Sequence, residues 1–576
     1  MTGELPMTFA APTQEQKFVL RHVAGIEELG SPNAFPDASL DMVDAIVDGA
    51  GDFAAGEWAP LNRVGDTVGA RWSPDGVTMP DGFREAYRAY VDGGWGTLSA
   101  PTSHGGQGLP QTLATVVLED LGAANMAFSL CPMLSAGAVE ALKHHGSAQQ
   151  QEQWLPKLVT GEWTGTMNLT EPQAGSDVGA LKTRAEPAEN GIFRIKGQKI
   201  YITFGEHDLA ENIVHLVLAR LPDAPPGTRG ISLFLVPKVR ADGTPNDVRC
   251  VSIEHKLGIH ASPTCVMAFG DSDDCLGELI GPPHGGMRAM FTMMNNARMN
   301  VGLQGVSVAE AATQQAVAYA RERIQGARGD KAAAIIDYPD VRRMLLRMKA
   351  LTQGARALTY YMAGQVDRAS LGDEAAAARV QLLTPLVKAW GTDVGCEVAS
   401  LGVQVHGGMG FVEETGAAQH YRDIRIAPIY EGTNGIQAAD LVGRKLGLGG
   451  GAALRSLLDE IRLSPEGAKL EDLIAAVEEV AASMASASPD DRLAGSYPLL
   501  TMMSVLVAGW LMARQETIAD AMLGGGEGDP LFLRMKAAAA AYFRTAIVPE
   551  AAGLRASALS VKESLLYAVP AEAFAA

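Results

Sequence analysis

The residues most able to do chemistry sit in three short stretches. In Ile429-Tyr-Glu-Gly-Thr-Asn-Gly-Ile-Gln437 a single carboxylate, Glu431, lies between apolar Ile429 and Tyr430 and a glycine, where few neighbours can pair it. Such surroundings raise a carboxylate's pKa and suit it to proton abstraction near neutral pH. On spacing alone, an ordinary surface glutamate remains the default reading. Thr170-Glu-Pro-Gln-Ala-Gly-Ser-Asp177 follows an alternating run. Gly175 permits a turn there, and the hydroxyls of Thr170 and Ser176 could hold an anionic or amide-edged ligand; the bland alternative is a loop with a capping Ser-Asp. In Gln404-Val-His-Gly-Gly-Met-Gly-Phe411 two adjacent glycines let a backbone or a flat ligand approach closely. His406 beside them reads better as a histidine packed or hydrogen-bonded at a helix end than as a catalyst.

Other chemistries find no support. There is no H-E-x-x-H, no G-x-S-x-G and no Walker loop, and His207 and His215 lack i,i+4 spacing, so no metal is expected. The five cysteines (Cys131, Cys250, Cys265, Cys275, Cys396) are scattered, as in a reduced cytoplasmic chain rather than a disulfide frame. The formal net charge of −19 argues against a nucleic-acid surface, but a few local arginines suffice for an anionic small molecule.

The elements that must position these stretches follow from length and period. At 576 residues, 47% apolar and 20% charged, the chain is large enough for three or four structural units. Helical spacing dominates the first hundred residues, and 112–145 reads as a buried helix pair. Near Trp163 the period becomes that of strands. FRIKGQKIYIT reads as two short strands about a KGQK turn, and IVHLVLAR, ISLFLVP and CVMAFGD are β-rich runs. Helical period returns over 287–325 and 339–370, with Met344, Leu345, Met348 and Leu351 as a core stripe. A glycine-rich break near 443–454 precedes a last Ala-rich helical segment. The expected fold is mainly α with an inserted β domain: an N-terminal extension over 1–39, a helical domain over 40–162, a β domain over 163–280, a helical bundle over 281–446 and an extra helical domain over 452–576. No strand–GxGxxG–helix unit is present, so a dinucleotide would need another architecture. Residues 1–20 lack a basic region followed by an apolar run, which argues against a signal peptide. Residues 493–513 carry no charge and could span a bilayer, yet Pro498, two glycines and several hydroxyls favour a buried helix, with membrane contact the lesser alternative.

Read together, N-L-T-E-P-x-A-G-S-D, then I-Y-I-T, H-G-G-M-G-F and I-Y-E-G-T-N-G-I-Q resemble the acyl-CoA dehydrogenase family in order and spacing over residues ~40–445. The GEHDLAENIVHLVLARLPDAP, EHKLGIH and GMRAMFTMMNNAR stretches resemble its large bacterial subgroup, which includes 3-methylthiopropionyl-CoA dehydrogenase. The resemblance implies an N-terminal helical domain, a middle β-barrel-like domain and a four-helix bundle, with FAD held by the last two. It implies that Met167, Leu169, Thr170 and Ser176 line the flavin and that Tyr201 and Thr203 meet its ring and phosphates. Tyr201 stands where many members have Trp, and Met167 replaces an aromatic found in some. Arg323, Gln404, Gly407 and Gly408 match contacts to a neighbouring subunit's FAD, so a homodimer or homotetramer is implied. Thr433 and Gly435 would reach the flavin of their own site. Ser176, Asn295, Arg298 and Gly432 would meet the acyl-CoA. Glu431 matches the catalytic base; the position that carries the base in a minority of members is Ala297 here. The implied reaction is dehydrogenation of an acyl-CoA, such as 3-methylthiopropionyl-CoA or a short- to medium-chain ester, to the trans-2-enoyl-CoA, with electrons passing to an electron-transfer flavoprotein. Medium- or long-chain dehydrogenation and an oxygen-using acyl-CoA oxidase are the alternatives.

Overall fold

The structure, a computed structural model, describes residues 9–576; the first eight positions of the expected N-terminal extension lie outside the described residues. The chain divides into two compact units, Met42–Asn300 in one, Pro12–Asp41 with Val301–Ala576 in the other.

In Met42–Asn300 the expected buried pair is the helices Gln111–Ala124 and Met126–His145. Asn125 separates them, and its side-chain oxygen accepts from the backbone N–H of Phe128 at 3.2 Å, an N-cap that starts the second helix. Leu113, Val116, Leu121, Phe128 and Leu142 are fully buried, each worth about 1.5–3 kcal/mol over exposure. The next helix, Ala148–Thr160, opens on a capping box between Ser147 and Gln150 and ends at left-handed Gly161.

A small hairpin, β1 (Arg71–Ser73) and β2 (Gly76–Thr78), precedes the main sheet. That sheet contains β3 (Trp163–Asn168), β4 (Arg184–Pro187), β5 (Ile192–Thr203), β6 (Asn212–Arg220), β7 (Ile231–Pro237), β8 (Val248–Ile253), β9 (Thr264–Phe269) and β10 (Leu276–Ile280). The strand order is β10-β7-β6-β4-β5-β9-β8, and β10 also pairs with β5, so the sheet curls back on itself. β3 runs parallel to β6, with Trp163 opposite Asn212 and Asn168 opposite Val217. β6 and β7 are buried almost end to end, as their unbroken apolar runs require.

One expectation is overturned here. FRIKGQKIYIT is a single continuous strand, β5, not two strands about a turn. Gly197 serves close approach instead: a Cβ there would lie 2.4 Å from the Thr183 hydroxyl. The flanking lysines pair with acids in neighbouring loops, Lys196 reaching Asp273 and Lys199 reaching Glu171.

In the other unit, long helices Pro339–Ser370 and Glu374–His406 pack with each other, and both touch the part of Gly286–Glu322 beyond residue 300, through Arg356 to Glu310 and Gly391 to Gly305. Glycines let two of these backbones touch: a Cβ on Gly305 would sit 1.9 Å from the Gly391 carbonyl oxygen. A hairpin that the sequence reading did not anticipate, β11 (Ile324–Arg328) with β12 (Lys331–Ala334), follows the first of them. The uncharged 493–513 stretch falls largely in the helix Ser496–Gly525, which packs against Pro339–Ser370 and whose most apolar window is 83% buried. Fully buried Lys536 donates to Glu15 at 2.8 Å and to Gln515 at 2.5 Å, fastening the Pro12–Asp41 segment to the C-terminal helices.

Candidate active site

Glu431 stands at the apex of a short loop closed at its base by Asn434, whose backbone N–H donates to the Pro428 carbonyl at 2.9 Å. The Ile429 and Tyr430 amides both donate to the Ile426 carbonyl, at 2.8 and 3.1 Å. Glu431 adopts a left-handed backbone, φ +56°, followed by Gly432 at +81°. For a residue with a Cβ that conformation stores strain and persists only where the surroundings hold it. They do so here. The Gln437 amide donates to the carbonyls of Glu431 and Gly432 at 3.3 Å each, and the Thr433 hydroxyl caps the helix Asn434–Asp440 through the Ile436 N–H at 3.2 Å. Tyr430 donates its hydroxyl to Gln304. Burial, then the nearby charge of Glu431, pushes the Tyr430 phenol well above its ordinary range. Gly435 is exposed, and a Cβ on it would meet only the Thr433 hydroxyl, at 3.7 Å.

In the Met42–Asn300 unit, Met167 is half-buried on β3, and Leu169 and Thr170 follow directly. Strand pairing brings these two beside Tyr201 and Thr203: the Ile200 N–H donates to the Thr170 carbonyl at 2.9 Å, and the Lys199 ammonium donates to the Leu169 carbonyl at 2.9 Å. The ladder from β5 to β9 slips between Lys199 and Ile202, and Tyr201, at φ +59°, is 60% exposed. The hydroxyls of Thr170, Ser176 and Thr203 make no hydrogen bond among the described residues. Beneath them, Glu171 accepts from Lys182 N–H at 2.7 Å, from the Thr183 hydroxyl at 2.6 Å and from Lys199 at 2.8 Å. Burial alone would raise its pKa, but the Lys199 charge and these donors outweigh it and hold the carboxyl at about 2. Neither Glu171 nor Lys199 stood out in the sequence. The signal was available, since Lys199 shares strand parity with buried Ile195, and an inward-facing lysine needs a buried acid.

The remaining expected positions fall as follows. His406 is buried at the end of its helix, its Nδ1 2.7 Å from the Gly402 carbonyl and its ring stacked on Tyr319 at 4.4 Å, so it is the packed histidine expected. Gln404, Gly407 and Gly408 are exposed at that helix end, and a Cβ on either glycine would meet nothing within 4 Å. Arg323 is exposed beside β11 and its guanidinium makes no ion pair among the described residues. Arg298 is buried, with Nη1 3.5 Å from the Asn295 oxygen, and Ala297 beside it is buried as well. Among the described residues no group of three or more His, Cys, Asp or Glu could hold a metal.

Family models for the acyl-CoA dehydrogenase N-terminal, middle and C-terminal domains match residues 42–162, 166–272 and 284–446, and an acetyl-CoA dehydrogenase C-terminal-like model matches 451–568. The chain belongs to the acyl-CoA dehydrogenase family. It is 45% identical to the 3-methylmercaptopropionyl-CoA dehydrogenase of Ruegeria pomeroyi, over 98% of this chain and 100% of that one. It is 34% identical to a butyryl-CoA dehydrogenase of Syntrophomonas wolfei, over 97% and 98%. Among solved structures, an acyl-CoA dehydrogenase of Bacillus anthracis complexed with FAD superposes with a TM-score of 0.73 at 22% identity, over 94% of this chain and 91% of that one. As an acyl-CoA dehydrogenase, the protein is an oxidoreductase acting on acyl-CoA thioesters, on the helical, β, helical plan with an added C-terminal domain expected above.

Proposed function

We propose that this acyl-CoA dehydrogenase removes the α-proton of a short acyl-CoA with Glu431 as the base. The observation that carries the reading is the strained left-handed backbone of Glu431, clamped through its carbonyl by Gln437 at the apex of a short loop that carries a single carboxylate. The α-hydrogen of a thioester is a very weak acid, so a base must be fixed within reach of it and the incipient enolate must be stabilised. Donors to the thioester oxygen, in this reading the Glu431 backbone N–H among them, contribute on the order of 3–4 kcal/mol each.

The residues fit FAD. Tyr201 offers an exposed aromatic face, Thr170, Ser176 and Thr203 offer hydroxyls without internal partners, and Gly407 and Gly408 leave open space. Met167, Leu169, Thr170, Ser176, Tyr201 and Thr203, with Thr433 and Gly435, would hold the group, while Arg323, Gln404, Gly407 and Gly408 would hold that of a second copy in a homodimer or homotetramer. When bound, FAD supplies the acceptor for the β-hydrogen. Ser176, Asn295, Arg298 and Gly432 would orient the CoA ester. Segments 40–162, 163–280 and 281–446 form the dehydrogenase core in this reading, and 452–576 supports it. The 45% identity to the Ruegeria enzyme favours 3-methylthiopropionyl-CoA as substrate, and hence a place in the breakdown of dimethylsulfoniopropionate, over β-oxidation of longer fatty acyl-CoAs. An electron-transfer flavoprotein would be the acceptor, and the cytoplasm the compartment.

The test is anaerobic mixing of flavin-loaded protein with a panel of acyl-CoAs, following flavin bleaching in wild type and Glu431→Gln. Loss of the base should slow bleaching about 10²–10⁴-fold or more. Equal bleaching by the variant would refute the assignment of the base, and a chain-length optimum away from short esters would refute the substrate.

A further inference from the structure

Around the Glu431 loop the side chains form a polar cluster that does not touch the reacting groups in the reading above, and it ends in the C-terminal helical segment. Asn434, 3% exposed, is its centre. Its side-chain oxygen accepts from the fully buried Lys388 ammonium at 2.9 Å. Its amide donates to the Ala389 carbonyl at 3.0 Å and to one carboxylate oxygen of Asp393 at 2.9 Å. The other oxygen of Asp393 accepts from the Tyr497 hydroxyl at 2.6 Å. Tyr497 lies on the helix Ser496–Gly525, 104 residues further along the chain than Asp393.

The chemistry of the cluster is specific. Lys388 and Asp393 carry opposite charges but are bridged by an amide, so Asn434 is held in one orientation: its oxygen toward the cation, its nitrogen toward the anion. That orientation fixes the backbone of Asn434, whose N–H closes the Glu431 loop on the Pro428 carbonyl. Burial raises the pKa of Asp393, and the hydrogen bonds from Tyr497 and Asn434 oppose that rise. Tyr497 therefore helps to keep the anion on which Asn434 is oriented.

We propose that Tyr497 is a positioning residue for the catalytic loop, acting through Asp393 and Asn434, so that the C-terminal helical segment sets the placement of Glu431. The proposal rests on Glu431 being the base, and its test separates the two. Tyr497→Phe removes one hydroxyl and keeps the ring, so the fold is retained. In the full-length flavin-loaded variant, amide hydrogen exchange of peptides covering 428–437 should accelerate roughly tenfold, the effect of losing a hydrogen bond to a charged group, while the rest of Ser496–Gly525 keeps its protection. Flavin reduction by saturating acyl-CoA should slow with KM unchanged. In an Asp393→Ala background, Tyr497→Phe should add nothing further to either readout, because the two act in series. Unchanged exchange over 428–437 overturns the proposal whatever the activity, and so does an effect of Tyr497→Phe that persists undiminished without Asp393. If the loop loosens but no acyl-CoA bleaches the wild type either, the assignment of the base fails and the positioning contact stands.

Discussion

Replacing Glu171 by glutamine should cost this protein more than a typical point mutation, and by an amount that the local geometry sets. The carboxylate is 4% exposed and accepts from Lys182 N–H, from the Thr183 hydroxyl and from fully buried Lys199. A neutral amide cannot accept at its nitrogen, so one set of donors is orphaned and Lys199 is left as a buried cation without a counter-charge. Breaking a buried pair in this way costs about 3–5 kcal/mol. Burial pushes Lys199 down to about 8, so the cost lies in stranding that cation rather than in the depressed Glu171 pKa by itself. For a unit of this size such a loss lowers Tm by roughly 6–20 °C. The sign of the pH dependence is fixed as well. A carboxylate depressed in the folded state stabilises it above the unfolded pKa, and the contribution disappears as pH falls from about 4.5 toward 2. Scanning calorimetry of wild type and Glu171→Gln at several pH values should therefore show a large Tm gap at pH 7 that narrows below pH 4.5. A gap of the same size at pH 3, or none at pH 7, would show that Glu171 does not stabilise the fold as a charged partner of Lys199.

Two glycines give opposite expectations. Gly305→Ala drives a methyl to 1.9 Å from the Gly391 carbonyl oxygen, a backbone atom that cannot swing away, and should destabilise by about 1–3 kcal/mol or more in urea titration. Gly408→Ala meets nothing within 4 Å and should leave stability within about 0.5 kcal/mol, yet retain flavin poorly on gel filtration if a cofactor approaches that glycine; unchanged flavin content would remove Gly408 from the binding surface.

Long periodic segments were legible because burial imposes the period. The unbroken apolar runs of β6 and β7, the helix pair over 112–145 and the uncharged helix near 493–513 all occupy interiors, where nearly every position faces other protein atoms. Short polar elements were not. Glycine between lysines has the composition of a turn and so suggests two strands where β5 is one; here the glycine admits Thr183 and the lysines reach acids in neighbouring loops. The β11–β12 hairpin is short and mostly exposed, so no buried face marks it. In the site, Glu431, Gly432 and Thr433 are neighbours in sequence and could be read together. The Tyr497–Asp393 contact could not, since no period or spacing links two helices that far apart.

The ion pair between Lys536 and Glu15 spans 521 residues of chain. During synthesis at roughly 5–20 residues per second, about 26–104 s pass between the emergence of the acid and that of its lysine. Through that interval the helix Thr13–Val19 carries a glutamate and Phe18 destined for an interior that does not yet exist. Synthesis of the helix that carries Lys536, rather than completion of any earlier domain, is then the event that lets this part of the molecule close, and a ribosome stalled before that lysine would leave an apolar N-terminal surface exposed to chaperones and proteases.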